Sequence, residues 1–500
     1  MIVYLIGAGP GDPGLLTLRG KEIISFADVV VYDYLANSSF LDFAKPDAEI
    51  IYVGKKSGEH TLSQDKINAL IIEKAKEGKS VARLKGGDPY VFGRGAEEAE
   101  ELVAAGIPFE EVPGVTSAIA SAAYAGIPVT HRDFASSVIF ATGHESPGKN
   151  GTAHDWQSMA RSGSTLVFVM GMKNLPEICA KLIENGLPPR TPAALVRWGT
   201  TAHHRSLVST VKGLPADAVK HNFSAPSLII IGKVVKLRDT LNWFEKKPLL
   251  GKGIVVTRAR EQASDLASTL AAQGANVIQF PSIDIRPLDD YSDVRKVLGY
   301  IGCYDWLAFT SVNGVKFFWD QLCALGLDSR ALAACKIAAI GPATVQALKA
   351  KGIKADFIPE RFVAESAVKG LCSLGVKGKR ILIPRASEGR DVLPDQLRQA
   401  GADVEVLPMY NTVPNDAHKD EVLEMLEAGA IQCITFASSS TVDNFLRLIP
   451  AATLRQHPEV RYACIGPVTA KTLDRHGIVC DYQPTEYTIP ALVNILVKEL

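Results

Sequence analysis

The sequence predicts an α/β protein with at least two domains, and three observations lead to this prediction. The chain has 500 residues, more than the roughly 250–300 at which a single hydrophobic core stops growing. Apolar residues make up 47% of the chain and charged residues 22%, a composition that excludes a largely disordered or fibrous protein. Runs rich in β-branched residues alternate with helical patterns in both halves of the chain, as α/β layering requires.

Strand and helix patterns in the first half alternate up to a break near residue 245. Strands are predicted at 29–32, 80–84 and 165–170, and helices over 14–27, 63–78 and 94–106. A strand over 228–231 and a short helical tail are then followed by Lys246-Lys247-Pro248 and by Gly251-Lys252-Gly253, before a new strand over 254–257. We therefore predict a boundary here, with domains at 1–245 and 250–500.

The second half contains an internal duplication with an offset near 127 residues. Matching blocks are Ile254-Val-Val-Thr-Arg258 with Ile381-Leu-Ile-Pro-Arg385, Phe309-Thr-Ser311 with Phe436-Ala-Ser438, and Ile340-Gly341-Pro with Ile465-Gly466-Pro. Each copy also has an extended, proline-marked stretch, at 283–287 and at 410–414. We predict two similar lobes, about 251–285 plus 413–500 and about 286–411, with a small-molecule cleft between them.

Charge and cysteine usage narrow the class of protein. Lys plus Arg and Asp plus Glu both number 54, so no long-range field gathers nucleic acid, and an anionic ligand needs a local basic pocket. Eight cysteines form no C-x-x-C pair, which argues against a disulfide framework or a zinc ribbon and suits a reducing cytosol.

Metal, membrane and export signals are all weak. The adjacent pair His203-His204 has no carboxylate at ligand spacing, so we predict no metal. The longest uncharged run, 112–130, is too polar for a membrane helix. Met1 leads directly into an apolar strand without an export signal, and we predict a cytoplasmic protein.

A glycine loop, Gly7-Ala-Gly9-Pro10-Gly11-Asp12-Pro13-Gly14, follows the strand predicted at 2–6 and precedes a helical pattern. Such loops allow backbone to approach a nucleotide. Position 12 is Asp where the dinucleotide fingerprint has glycine, and two prolines disturb the helix start. By itself the loop is equally consistent with a tight strand-to-helix turn.

Further loops in the same half make the pattern specific. They are Gly86-Gly87-Asp88-Pro89, Val112-Pro-Gly114-Val-Thr116-Ser117, Gly126-Ile-Pro-Val-Thr-His131-Arg132 and Thr142-Gly-His144. Taken in this order, they resemble the tetrapyrrole methylase family, and within it the uroporphyrinogen-III C-methyltransferases, across about residues 1–245. The resemblance implies a two-subdomain fold distinct from the Rossmann fold, a homodimer formed through this half, and methylation of uroporphyrinogen III at C2 and C7 by two S-adenosylmethionine molecules to give precorrin-2.

The resemblance also implies roles for individual residues. Those expected to bind S-adenosylmethionine are Pro10, Gly86, Gly87, Asp88, Val91, Thr116, Ser117, Met170 and Gly199. Asp33 is expected to act as a base or charge stabiliser with Lys55 as its partner. The other interpretations of Asp33 are a ribose-binding acid or a helix cap. The other interpretation of Lys55-Lys56 is a solvated surface pair. Arg94, Arg132 and Lys55 are expected to attract the eight substrate carboxylates, because guanidinium groups suit carboxylates.

Three features depart from the family pattern. The chain has Val169 where a tyrosine usually precedes the Met-Gly pair, Arg197-Trp198 where an acidic or amide residue is common, and His204 where glutamine is frequent. These differences affect the expected substrate pocket more than the cofactor site.

The second half has no nucleophile elbow, carboxylate pair or metal motif, but hydroxyls and glycines stand at its predicted strand ends. Candidate anion-binding residues are Thr310, Ser311, Asn313, Gly341, Ser438, Ser439, Gly466 and Thr469; ordinary helix N-caps are the competing interpretation. Residues 250–500 resemble uroporphyrinogen-III synthase, whose fold is two flavodoxin-like lobes joined by a two-stranded ladder. The resemblance implies closure of hydroxymethylbilane with inversion of ring D. Tyr410 is the candidate to assist loss of hydroxide, unless it is simply a core tyrosine with one hydrogen bond.

The two resemblances support each other, because the product of the second half would be the substrate of the first. We therefore predict a bifunctional lyase and transferase of porphyrin biosynthesis, whose product enters siroheme or cobalamin synthesis. The alternative is a methylase of a later precorrin whose second half binds a tetrapyrrole and regulates it.

Overall fold

The fold is described from a computed structural model of the chain. The structure describes residues 2–54, 63–143, 154–257, 260–360, 364–389 and 391–500, without the side chains of 260–264 and 414.

A five-stranded parallel sheet forms the first subdomain. Its strand order is β3-β2-β4-β1-β5, where β1 is Ile2–Gly7, β2 Val29–Tyr32, β3 Glu49–Tyr52, β4 Ser80–Lys85 and β5 Phe109–Val112. The helices are α1 (Leu18–Phe26), α2 (Gln64–Lys76), α3 (Gly95–Ala104) and α4 (Ser117–Tyr124). Separate apolar clusters cover the two faces of the sheet, which explains why its strands are continuous apolar runs.

The first helix begins later than the periodicity predicts. Pro13–Leu15 forms a single 3-10 turn, and α1 starts at Leu18 because the Thr17 hydroxyl accepts a hydrogen bond from the Gly20 amide and caps it. The glycine loop is therefore separated from the helix N-terminus, as its prolines suggested.

The second subdomain is a mixed sheet with the order β6-β7-β10-β8-β9. Its strands are β6 (Val138–Thr142), β7 (Thr165–Val169), β8 (Pro192–Arg197), β9 (Arg205–Thr210) and β10 (Ser227–Ile231). Its helices are α5 (Trp156–Arg161), α6 (Leu175–Glu184), α7 (Leu214–Lys220) and α8 (Arg238–Leu241). Only β6 and β7 pair in parallel; β10 is antiparallel to β7 and β8, and β8 is antiparallel to β9.

The second half contains two further sheets, β12-β11-β18-β19 and β13-β17-β16-β14-β15. Their strands are β11 (Gly253–Val256), β12 (Asn276–Gln279), β13 (Ile283–Pro287), β14 (Trp306–Phe309), β15 (Lys336–Ala339), β16 (Arg380–Ala386), β17 (Asp403–Pro414), β18 (Cys433–Phe436) and β19 (Arg461–Cys464). The helices are α9 (Arg260–Ala272), α10 (Ser292–Gly299), α11 (Val312–Ala324), α12 (Pro342–Ala350), α13 (Ala364–Ser373), α14 (Val392–Gln399), α15 (Lys419–Glu427), α16 (Ser439–Leu448), α17 (Ala451–Leu454), α18 (Pro467–Arg475) and α19 (Ile489–Glu499).

Each of these sheets contains four strands made up of two from each copy of the duplication, and β13 adds a fifth strand to the second sheet. The first sheet combines β11 and β12 with β18 and β19, and the second combines β14 and β15 with β16 and β17. Equivalent strands occupy equivalent places in the two sheets, because β11 matches β16 and β14 matches β18 in sequence. The two proline-marked stretches pair with each other as an antiparallel ladder from Ile283 with Pro414 to Pro287 with Tyr410. The predicted fold class, two lobes joined by a two-stranded ladder, is confirmed.

The junction between the halves is anchored by packing and hydrogen bonds. Phe244 is buried, and the Glu245 carboxylate accepts hydrogen bonds from His204, Ser206 and Arg238. Burial opposes ionisation of Glu245, but these partners outweigh it and lower its pKa to about 2. Only a few residues later, Leu249 is buried in the core of the second half, and its amide donates to the Gln273 carbonyl.

We expect a fragment ending at Lys247 to be more stable than one ending at Phe244. The shorter fragment lacks Glu245 and leaves buried His204 and the Arg238 guanidinium without their carboxylate, which costs about 1–3 kcal/mol and lowers the melting temperature by roughly 3–10 °C. Calorimetric melting of both fragments measures the difference. A 1–247 fragment carrying Glu245→Gln should melt like 1–244; equal melting temperatures for all three would contradict a role for Glu245 in stability.

Candidate active sites

A cavity of about 310 Å³ lies between the two sheets of the first half. Loops of the first subdomain, the start of α4 and the ends of β7 and β8 enclose it, so it is lined mainly by backbone and small or apolar side chains. The lining residues are Pro10, Gly11, Tyr34, Leu35, Ala36, Asn37, Ser117, Ser121, Val169, Met170, Val196, Trp198, Gly199, Thr201, Pro226, Ser227 and Leu228.

The glycine loop connects the two subdomains at one edge of this cavity. The Gly11 carbonyl accepts a hydrogen bond from Asn37 Nδ2 at 2.7 Å, and the Asp12 amide donates to Thr200 Oγ1 at 3.2 Å. A Cβ at Gly11 would come within 2.6 Å of Thr201 Cγ2. Glycine is therefore required here for close packing of the subdomains, and not for binding at a helix N-terminus.

The Gly86-Gly87-Asp88 loop is held tightly beside the glycine loop. Gly9 and Gly87 exchange backbone hydrogen bonds of 3.1 and 2.7 Å, and a Cβ at Gly114 would lie 2.2 Å from the Gly87 carbonyl oxygen. Asp88 Oδ1 accepts from the amides of Tyr90 and Val91, and its Oδ2 accepts from the Gly114 amide at 3.0 Å. Both carboxylate oxygens thus fix the backbone of this loop, a structural role that the sequence did not predict.

The structure brings together part of the predicted cofactor set. Pro10, Ser117, Met170 and Gly199 line the cavity. Gly86 and Gly87 adjoin it, since a Cβ on Gly86 would meet Leu35 at 2.5 Å and one on Gly87 would meet Ser117 at 3.7 Å. Thr116 caps α4, with its hydroxyl accepting from the Ala118 amide at 3.3 Å. Val91 is partly exposed and is not among the lining residues.

Tyr34, Leu35, Ala36 and Asn37 line the cavity but were not among the predicted residues. A usable signal was present, since these residues directly follow β2, whose carboxyl end lies at the same edge of the parallel sheet as that of β1.

Strained backbone surrounds the cavity. Met170 and Trp198, both lining residues, have φ of 55° and 48°, and Thr200 has φ of 71°. Residues other than glycine reach this region only at a cost, and such residues concentrate at functional sites. The observation supports this cavity as the active site of the first half.

Asp33 stands at the end of a buried network of charges. Its Oδ2 accepts from Arg83 Nη2 at 3.1 Å, and its Oδ1 accepts from the Leu35 amide at 3.0 Å. Behind Arg83, buried Glu98 accepts from Lys85 Nζ at 2.6 Å and from Gln64 Nε2 at 2.9 Å. Burial and the charge of Arg83 lower the pKa of Lys85, while Glu98 opposes that shift. No motif in the sequence indicated this network.

Five residues quoted from the sequence lie either outside the described residues or at the surface. Lys55, His144 and Arg258 lie outside the described residues. Arg94 is exposed and pairs with Glu97, Nη2 to Oε2, at 2.6 Å, and Arg132 is exposed. The substrate roles of Arg94 and Arg132 stay predictions.

We expect Asp88→Ala to weaken S-adenosylmethionine binding by about tenfold or more, because three charge-assisted hydrogen bonds that shape the loop are lost. Synthase activity should be unchanged, since the loop belongs to the first half. Calorimetry with the cofactor measures the effect, and Asp88→Asn, which keeps an acceptor oxygen, should be affected less. Unchanged affinity in the alanine variant would remove this loop from the cofactor site.

A second cavity, of about 500 Å³, lies at the edge of the β16-β14 sheet. Most of its lining comes from one lobe, and Val468 at the start of α18 reaches it from the other, so it opens between the lobes. The lining residues are Thr310, Ile340, Ala364, Glu365, Ile383, Arg385, Ala386, Gly389, Val392, Leu393, Pro394, Tyr410 and Val468.

Tyr410 combines core packing with a polar contact at this cavity. Its ring is 6% exposed and stacks on Phe317 with centroids 5.3 Å apart. Its hydroxyl lies 3.1 Å from Ser311 Oγ. Burial raises the pKa of Tyr410, and the hydrogen bond with Ser311 opposes this only in part. The phenol therefore keeps its proton at neutral pH and can donate it.

The other predicted residues of the second half are mostly helix starts. Ser311 and Ser438 cap α11 and α16 through their hydroxyls, and Gly341 and Gly466 precede α12 and α18. Of the predicted set, Thr310 lines the cavity and Ser311 contacts Tyr410. Arg385 lines the cavity and pairs with Asp391 at 2.6 Å. It was not predicted as a site residue and appeared only as part of the duplication. Its position at a strand end beside the predicted cleft could have indicated a binding role.

Neither a metal cluster nor a membrane-spanning helix occurs within the described ranges. No three His, Cys, Asp or Glu side chains come together in a way that could hold a metal ion. None of the helices there has the length and apolarity needed to cross a membrane.

Comparison with known proteins assigns both halves. A family model for tetrapyrrole (corrin/porphyrin) methylases matches residues 2–215, and one for uroporphyrinogen-III synthase HemD matches residues 264–494. The porphyrin biosynthesis protein HemD of Ruminiclostridium josui is 39% identical over 476 residues, covering 95% of this chain and 94% of that protein. The chain belongs to both families. It is a fusion of uroporphyrinogen-III C-methyltransferase and uroporphyrinogen-III synthase domains, as the sequence predicted.

Two further similarities are to C-methyltransferases of this name. The uroporphyrinogen-III C-methyltransferase of Bacillus subtilis (strain 168) is 45% identical over 335 residues, covering 67% of this chain and 68% of that protein. A crystal structure of uroporphyrin-III C-methyl transferase from Thermus thermophilus, complexed with S-adenyl homocysteine, is 39% identical with a TM-score of 0.41 and covers 47% of this chain and 100% of that one.

Proposed function

We propose that the synthase half closes hydroxymethylbilane to uroporphyrinogen III with inversion of ring D, and that the methylase half then methylates C2 and C7 to give precorrin-2. The observation that carries this proposal is the presence in one chain of two enzymes, one of which makes the other's substrate. We further propose S-adenosylmethionine as the methyl donor, with two consumed per product and no metal required.

In the methylase half, S-adenosylmethionine would supply an electrophilic methyl group to an electron-rich pyrrole carbon. Alignment and proton removal are then the main tasks of the protein. The cavity offers backbone carbonyls and small side chains that admit an adenosine and a sulfonium. Asp33, oriented by Arg83 and the Leu35 amide, is the candidate to take the proton, and Lys55 is its proposed partner.

In the synthase half, the hydroxyl of the substrate's hydroxymethyl group leaves readily as its carbon closes the ring, and spontaneous closure gives the other isomer. The protein must therefore mainly hold the linear substrate in one conformation. A cleft at strand and helix ends provides backbone donors for carboxylates, and the Tyr410 phenol provides a proton for the departing hydroxide. The surroundings of Tyr410 and Ser311 support this assignment.

The proposal is tested by supplying hydroxymethylbilane and S-adenosylmethionine labelled in the methyl group. We expect isomer III, followed by a product with two labelled methyl groups. A methylase of a later precorrin would leave added uroporphyrinogen III unmethylated. If the second half is purely regulatory, hydroxymethylbilane will close no faster than in buffer. That result would overturn the synthase assignment and leave the methylase assignment unchanged.

We expect Tyr410→Phe to slow ring closure roughly 10²-fold, the lower part of the range for loss of a positioned acid. The variant keeps the stacking on Phe317, so the fold and methyl transfer should be unchanged. Tyr291→Phe, which removes a hydroxyl that donates to the Met409 carbonyl in the same lobe, is the matched control. Normal ring closure by the Tyr410 variant would leave this residue as a core tyrosine only.

We also propose that the protein is a cytoplasmic homodimer formed through the methylase half. Tyr90, Val91 and Phe92 are 49%, 37% and 42% exposed, and consecutive exposed apolar side chains are typical of an interaction surface. Light scattering on the purified chain tests the assembly. We expect the mass of two copies, and the mass of one copy would contradict the proposal.

A further inference from the structure

A third pocket, of about 470 Å³, lies where the two halves meet. We call it the junction pocket. Strands β8 and β9 with their connection form most of it, and the first residues of the synthase half complete it. Its lining residues are Arg197, Trp198, Ala202, His203, His204, Arg205, Leu250 and Gly251. Two arginines and two histidines line it, and the set contains no carboxylate.

The two arginines of the junction pocket face each other. Arg197 and Arg205 are directly opposite in the antiparallel β8–β9 ladder, so their side chains project from the same face, where like charges repel. Within the described ranges neither has a carboxylate oxygen within 4.0 Å. Arg205 donates to the His221 carbonyl and lies over the Phe223 ring, whereas Arg197 Nε is buried without a hydrogen-bond partner there. The repulsion is thus not compensated by an acidic side chain in the described ranges.

His204 adds an unsatisfied polar atom to the same pocket. Its side chain is fully buried, its Nε2 lies 3.1 Å from Glu245, and its Nδ1 is buried without a partner in the described part of the chain. Glu245 is the carboxylate in contact with this pocket's lining. Arg238, Ser206 and Asn242 also donate to it, so its charge does not neutralise Arg197 and Arg205.

The lining residues also include two of the three departures from the family pattern described above. Arg197, Trp198 and His204 all line the junction pocket. Trp198 lines the methylase cavity as well, while Leu250 and Gly251 belong to the start of the synthase half. Unusual residues of one half and the first residues of the other thus meet in one basic pocket next to the methylase cavity.

We propose that the junction pocket binds an oxyanion, and that its source is a carboxylate side arm of the tetrapyrrole. Guanidinium pairs bind carboxylates and phosphates alike, so the arginines alone do not separate these sources. The position of the pocket favours the tetrapyrrole, because the pocket shares Trp198 with the cavity in which the tetrapyrrole is methylated. A bound carboxylate would relieve the Arg197–Arg205 repulsion and keep the macrocycle at the methylase half. That the pocket binds an oxyanion follows from its lining residues. That the oxyanion belongs to a tetrapyrrole rests on the proposed function.

Calorimetry on the full chain tests the proposal with two probes. Uroporphyrin III, the oxidised and unreactive octacarboxylate, represents the tetrapyrrole, and inorganic phosphate represents a free anion. We expect Arg197→Gln and Arg205→Gln each to weaken uroporphyrin binding by about tenfold, the effect of losing one charge-assisted contact. Arg190→Gln, which removes an exposed arginine from the same subdomain, is the matched control and should bind normally.

The outcomes separate the pocket from the proposed function. Equal uroporphyrin affinity in all variants, together with normal methylation, would overturn the pocket and leave the function standing. Phosphate binding that is tighter than that of uroporphyrin and is lost in both glutamine variants would overturn the tetrapyrrole as the source. A chain that methylates no uroporphyrinogen III but loses uroporphyrin binding in both variants would support the pocket and contradict the methylase proposal. Thermal melting of every variant checks that the fold is retained.

Discussion

Replacing Asp33 by asparagine is expected to slow methyl transfer by roughly 10²–10⁴-fold, the usual effect of removing a positioned base. The substitution keeps an oxygen for the Leu35 amide and changes little in volume, while it removes the charge that Arg83 contacts. S-adenosylmethionine affinity should therefore be retained. Single-turnover methylation of uroporphyrinogen III at saturating cofactor, together with calorimetry, separates the two effects.

Asp47→Asn is the matched control for this prediction, because it removes one acidic side chain that is 80% exposed from the same subdomain. It should leave both the rate of methyl transfer and the affinity for S-adenosylmethionine unchanged. If Asp33→Asn instead lost cofactor affinity and turned over normally at saturation, Asp33 would be a ribose-binding acid. The structure already shows one further role, because Asp33 ends a buried charge network, so Arg83→Met would be expected to disturb methylation through Asp33.

Replacing Glu98 by glutamine is expected to destabilise the methylase half by about 3–5 kcal/mol, the typical cost of breaking a buried ion pair. Glu98 is 2% exposed and lies against both Lys85 and Arg83, which are 4% and 3% exposed. In the variant, buried Lys85 loses the carboxylate with which it pairs, and Arg83 retains only its pair with Asp33. Hydrogen exchange of the β1 and β4 amides in the full chain measures the free energy of opening this half.

Glu101→Gln, at an exposed site on the same helix, should change that free energy by less than about 0.5 kcal/mol. The double variant Glu98→Gln with Lys85→Met should recover part of the loss, because it removes one uncompensated charge. A loss of less than about 1 kcal/mol in Glu98→Gln would contradict the assignment of this pair as a stabilising element.

The family resemblance anticipated four of the residues that line the first cavity. Pro10, Ser117, Met170 and Gly199 were expected from motifs and line it. Asp88 was expected as a ligand of the cofactor and was found holding three backbone amides, because a carboxylate next to free N–H groups satisfies them first. Tyr34 to Asn37 form no motif of their own, and only their position directly after β2, together with the order of the strands, places them at the cavity.

The sequence by itself determined the α/β class, the duplication in the second half and the two families, because periodicity, turn residues and motif order are local properties of the chain. Tertiary structure alone decided which distant residues meet. The network from Asp33 through Arg83 to Glu98 and the junction pocket of Arg197, Arg205 and Gly251 both join residues from separate elements of the chain. Their energies depend on burial and on the distance between charges, which no local pattern records.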